Sequence, residues 1–124
     1  MPIIRAENAP KFSWPGLHVT GLAAPSRGAR ETSVWRLRLE PGVPGPAHSV
    51  DHEEIFVALA GRARATLGGE EVELRAGDAL VVPAGHDFAL SGLGDEAFEA
   101  VALVPVGALA RLAEGEPFAP PWTV

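Results

Sequence analysis

Two histidines and three carboxylates fall inside one short stretch, His48-Ser49-Val50-Asp51-His52-Glu53-Glu54, which leads into an apolar run closed by Gly61. Imidazole and carboxylate are the nitrogen and oxygen donors that divalent transition metals take. If the stretch is one extended strand, residues 48, 50, 52 and 54 point the same way. His48, His52 and Glu54 would then present their donors on one face. The same residues offer a second chemistry. A carboxylate bonded to an imidazole across a cavity, Glu54 to His48, can act as an acid–base pair or simply be a satisfied buried pair. Glu53 and Glu54 are strand neighbours that face opposite ways, so they are not a paired-carboxylate dyad.

Other chemistries lack their residues. There is no cysteine, which excludes disulfides, thiolate metal sites and thiol nucleophiles. No Gly-x-Ser-x-Gly turn presents a serine nucleophile, and no glycine-rich loop opens a helix to cradle phosphate. The net charge of −6 comes from scattered acidic residues and gives no basic patch for nucleic acid. No apolar run is long enough for a membrane helix, and the start of the chain has no apolar leader. A cytoplasmic location is the expectation.

The elements that must position these residues read as short strands. The 124 residues, 47% of them hydrophobic, suit one domain with a real core. Fourteen glycines and 12 prolines are spread as punctuation between alternating runs. The pattern predicts strands over residues 18–23, 32–40, 48–50, 54–60, 62–67, 70–75, 79–82, 86–91 and 97–104. Trp35, Leu37 and Leu39 form the buried face of the second of these. Arg36 lies on the opposite parity, either on a solvated face or in a pocket where its planar fork holds an anionic ligand. Gly68-Gly69 between two alternating runs signals a hairpin.

Residues 1–29 read as an arm and a first strand, 30–104 as the barrel core and 105–124 as a tail. Residues 107–114 carry apolar side chains at helix-like spacing, enough for a turn or two. The arm's Phe12 and Trp14 and the tail's Phe118 and Trp122 should dock on the body or across a dimer. No helix is long enough to cross over parallel strands, so the fold is expected to be all-β, an antiparallel double-sheet jelly roll or barrel.

The motifs resemble those of a small single-domain cupin. That family's first motif is glycine, five residues, His-x-His, three or four residues, Glu, six residues, glycine. Gly42, His48, Glu54 and Gly61 fall on it. The second is glycine, five residues, Pro-x-Gly, two residues, His. Gly77, Pro83 and Gly85 fall on it. The resemblance implies a jelly roll with a metal held by three histidines and a glutamate. This chain departs at two of those ligands, with Val50 and Phe88 in their places. His52 and His86 each stand two residues away, on the same strand parity. A shift of two residues is about 6–7 Å, whereas an imidazole must reach within about 2.0–2.1 Å of a metal such as zinc.

Three readings follow. The first is a small-molecule-binding cupin with a degenerate metal site. Its apolar pocket would be formed by Val50, Phe56, Phe88 and Leu90 around His48 and Glu54, with Arg36 a further candidate. The second is a metal-dependent oxygenase or isomerase using iron, manganese, nickel or zinc on His48, His52, Glu54 and His86. The third is a packed, ligand-free barrel that serves as a dimer module. A symmetric homodimer is expected in each case.

Overall fold

A computed structural model describes all residues 1–124. The strands are β1 (Lys11–Trp14), β2 (Leu17–Gly21), β3 (Thr32–Leu39), β4 (His48–Val50), β5 (Glu54–Ala60), β6 (Arg62–Leu67), β7 (Glu70–Arg75), β8 (Ala79–Val82), β9 (Phe88–Leu93), β10 (Phe98–Pro105) and β11 (Ala110–Leu112). They form a six-stranded sheet, order β1-β2-β3-β10-β5-β8, and a five-stranded sheet, order β11-β4-β9-β6-β7. Every strand pairing is antiparallel. This is the jelly roll that the strand pattern implied.

Strand alternation sets what faces inward. On β3, Trp35, Leu37 and Leu39 are buried, and on β10, Phe98, Ala100, Ala102 and Val104. Register then stacks rows across the sheet, with Trp35 opposite Ala102 and Ala102 opposite Phe56. In one part of the barrel the two sheets close tightly on small side chains. Ala63, Ala65, Ala100 and Ala102 are fully buried there, among Phe98, Leu74 and Val82. Gly61 makes the β5–β6 corner possible. Its φ is +70°, and a Cβ there would run into the carbonyl oxygen of Ala97.

Four local expectations need correction. Residues 107–114 contain no helix; Ala110–Leu112 is strand β11, paired with Val50, Ser49 and His48 of β4. The arm is not simply extended, because β1 pairs with β2 to make a hairpin around Pro15-Gly16. Strand β2 ends at Gly21, not residue 23, although Leu22 and Ala23 still exchange backbone hydrogen bonds with Val34 of β3. Strand β9 begins at Phe88, not at His86. Gly85 is left-handed at φ +78°, and its N–H donates to Val50 O while His86 N–H donates to Pro83 O. The second bond closes a turn over residues 83–86.

Arm and tail meet over the body. Trp122 is buried, and its ring packs edge-on against Phe12 at 5.9 Å and Trp14 at 5.0 Å, and tilted against Trp35 at 6.4 Å. Ser33 Oγ, fully buried, donates to Thr123 O at 2.8 Å and fastens the tail to β3. Phe118 and Ala110 exchange two backbone hydrogen bonds.

Candidate binding cavity

Between the tightly packed alanines and the arm–tail cover, the barrel is hollow. The cavity measures about 340 Å³. Its walls are apolar and aromatic, formed in large part by Trp14, Trp35, Leu37, Phe56, Leu90 and Trp122. His48 and Glu54 are its titratable side chains, and no lysine or arginine lines it. All three tryptophans of the chain stand on this one wall.

Glu54 opens β5 and points inward opposite Val82 of β8. It is 4% exposed, and its Oε1 has no hydrogen-bond partner. Burial pushes its carboxyl up to about 8, because the apolar surroundings penalise the charge. At neutral pH the group is therefore largely a neutral acid, able to donate a hydrogen bond.

His48 opens β4 and is half-buried, its ring 4.3 Å from that of Phe88. Burial lowers its pKa below the usual histidine value. Its Nδ1 lies 3.0 Å from Pro46 O. A carbonyl can only accept, so Nδ1 carries the proton and Nε2 is left as an acceptor. The expected hydrogen bond between His48 and Glu54 is absent: both line the cavity, but Glu54 finds no partner in it.

The other candidate metal donors lie elsewhere. His52 is exposed in the bend between β4 and β5, its Nδ1 bonded to Asp51 at 2.8 Å. That bend breaks the strand parity that would have turned it inward. Asp51 Oδ1 also accepts the Leu109 N–H at 2.8 Å, which holds the bend in place. His86 is exposed in the turn before β9. Nowhere do three His, Asp or Glu side chains converge closely enough to hold a metal ion. With Val50 and Phe88 buried at the two departing positions, the donors present do not fit a catalytic transition metal.

Arg36 is on the outer face, not in the cavity. It is exposed and pairs with Glu99 of β10 at 3.4 Å, because its neighbours Trp35 and Leu37 take the inward positions. Val50, Phe56 and Leu90 line the cavity, whereas Phe88 is buried behind them against Phe56, ring centroids 5.7 Å apart. The tryptophan wall escaped the sequence reading. Trp14, Trp35 and Trp122 come from β1, β3 and the tail, and only the folded chain brings them together. The inward parity of Trp35 and the expected docking of Trp14 and Trp122 on the body were the available signals.

Comparison with known proteins agrees with this architecture. The family described as "Cupin domain" matches residues 35–104. Auxin-binding protein 5 of Zea mays is 32% identical over 56 residues, which is 45% of this chain. The match spans only 37% of that relative's length. Among solved structures, the polyketide cyclase RemF from Streptomyces resistomycificus superimposes with a TM-score of 0.79 at 17% identity, covering 98% of this chain and 88% of its own. KdgF from Halomonas sp. gives 0.72 at 19% identity, covering 83% and 93%. At these identities the likeness is one of fold.

Proposed function

Because this chain belongs to the cupin family, which matches residues 35–104, we propose that its barrel binds a small, mainly apolar organic molecule and that the family's metal centre is degenerate here. The observation that carries this reading is the hollow, aromatic-walled cavity with Glu54 buried and unpartnered in it. Apolar walls with a few placed polar groups are the usual make-up of small-molecule sites. Two of the likenesses, an auxin-binding protein and a polyketide cyclase, also handle small organic molecules by name. The cavity speaks against the ligand-free, packed module.

The test begins with untagged protein and 1,4-diethylbenzene, followed by tryptophan fluorescence and thermal unfolding. Since every tryptophan lines the cavity, occupancy should change the emission saturably. It should also raise the melting temperature, by the equivalent of about 2.7 kcal/mol at a hundredfold excess over Kd. No response at the solubility limit defeats the reading. The same protein incubated with manganese, iron, nickel or zinc should hold far less than one equivalent. One equivalent that is lost in His48→Ala would instead favour a metal-dependent oxygenase or isomerase.

The homodimer belongs to this proposal, on a different surface from the one the sequence suggested. Of the arm and tail aromatics, Phe12 and Trp14 pack against Trp122, which is buried. The outer face of the six-stranded sheet instead carries an apolar patch of Ile55, Val57 and Leu59 on β5, Val81 on β8, and Val101 and Leu103 on β10. Leu59 is 42% and Val81 51% exposed. A second copy suits this patch because Arg36 and Glu99 at its border put both charge signs there, so a two-fold can set each against its opposite. Light scattering should report a dimer that Val81→Asp with Leu59→Asp converts to monomer. A wild-type monomer at high micromolar concentration would rule it out.

A further inference from the structure

We infer that the cavity selects an uncharged ring compound bearing a hydroxyl, a phenol in class, whose O–H donates to Nε2 of His48. This rests on the binding reading above and specifies its ligand.

Strand parity turns His48 inward. It shares a face of β4 with Val50, and both residues line the cavity. Its ring packs against Phe88, the residue opposite it on β9. Its Nδ1 donates to Pro46 O at 3.0 Å. These two contacts hold the ring and leave Nε2 as its acceptor. Nε2 has no partner in the protein. The fully buried side-chain atoms without a partner are Glu54 Oε1 and Trp122 Nε1, so Nε2 keeps accessible surface. It does so on a half-buried side chain that lines the hollow. A donor on the occupant completes an acceptor placed there.

The surroundings narrow the class of donor. Burial disfavours the charged imidazole, so the ring offers a lone pair rather than a positive charge. A ligand carboxylate finds no lysine or arginine in the lining. It could pair with His48 only by charging a ring that burial keeps neutral. A ligand ammonium would leave water for a hollow whose carboxyl is itself largely uncharged at neutral pH. An uncharged hydroxyl donates without either cost. The rings of Trp14, Trp35, Phe56 and Trp122 supply flat apolar walls, which suit an aromatic ring. A phenol carries that ring and a polarised O–H together, and at pH 7 it stays neutral as a tyrosine side chain does.

Calorimetry on the full chain at pH 7.0 tests this with 4-ethylphenol, 4-ethyltoluene, 4-ethylbenzoate and 4-ethylbenzylammonium. The first two differ only in exchanging a hydroxyl for a methyl group. Their affinity ratio, phenol over toluene, should be roughly fivefold higher in the wild-type protein than in His48→Phe, the worth of one neutral hydrogen bond. Comparing ratios cancels the difference in hydrophobicity between the two probes. Cooperative unfolding of the variant shows that it is folded. Nitrogen NMR of the wild-type imidazoles gives a second readout. It should find His48 protonated on Nδ1, and 4-ethylphenol should move the Nε2 resonance far more than 4-ethyltoluene does. Equal ratios in the two proteins overturn the inference while leaving the binding reading intact. So does an Nε2 resonance that the two probes move alike, or tightest binding of the benzoate or of the amine. The Nε2 resonance and the wild-type series decide the matter even if the variant does not fold. Failure of every probe to bind overturns both readings.

Discussion

Replacing Glu54 with glutamine will remove a fall in stability that the wild-type protein shows between pH 4.5 and 8. The native state holds this carboxyl's proton up to about pH 8, against an ordinary value of 4.5. Between those values the folded chain binds more protons than the unfolded chain. Stability is therefore fully present below pH 4.5, is lost as pH rises through the window, and is flat above 8. The whole shift corresponds to roughly 5 kcal/mol, a large part of a small domain's stability. His48 works in the opposite sense. Its lowered pKa makes the native state bind fewer protons, so its contribution is lost as pH falls below the ordinary histidine value. That effect is common to both proteins and cancels in their difference. Urea unfolding of the two proteins across pH 4–9 measures this difference directly. Parallel profiles would mean that Glu54 ionises in the native state with some partner, and the neutral-donor argument would fall with them.

Trp122→Ala should cost about 3–5 kcal/mol, the usual range for deleting a large buried aromatic. The site cannot collapse to fill the space, because the neighbouring wall is already hollow. The ring also packs against Phe12, Trp14 and Trp35, so its loss frees the arm as well as the tail. Chemical denaturation gives the cost. Increased amide exchange in residues 11–21, relative to β10, should show where order is lost. A loss under 1 kcal/mol would mean that the arm and tail contribute little to holding the barrel together.

Much of this was legible in the chain. The strands from β3 to β8 came directly from alternation and turn residues, with Gly68-Gly69 at the β6–β7 hairpin. His48 and Glu54 stood out through their place in the motif, and both line the cavity. Other features were hidden for physical reasons. In residues 107–114, apolar spacing over so short a run fits a helix or a strand equally, and pairing with β4 decided for the strand. His52 failed as an inward residue because Asp51 accepts bonds from both His52 and Leu109 and so fixes a bend. Prolines 10 and 15 masked the β1–β2 hairpin. The cavity itself depends on which alanines oppose which strands, and that requires sheet order.

The clasp between β1 and Trp122 joins residues about as far apart in sequence as this chain allows. Such contacts demand the largest loop closure and tend to form late in folding. Contacts absent from the transition state leave the folding rate alone and instead slow unfolding. By that logic the aromatic cover governs the lifetime of the native barrel more than the speed at which it is made.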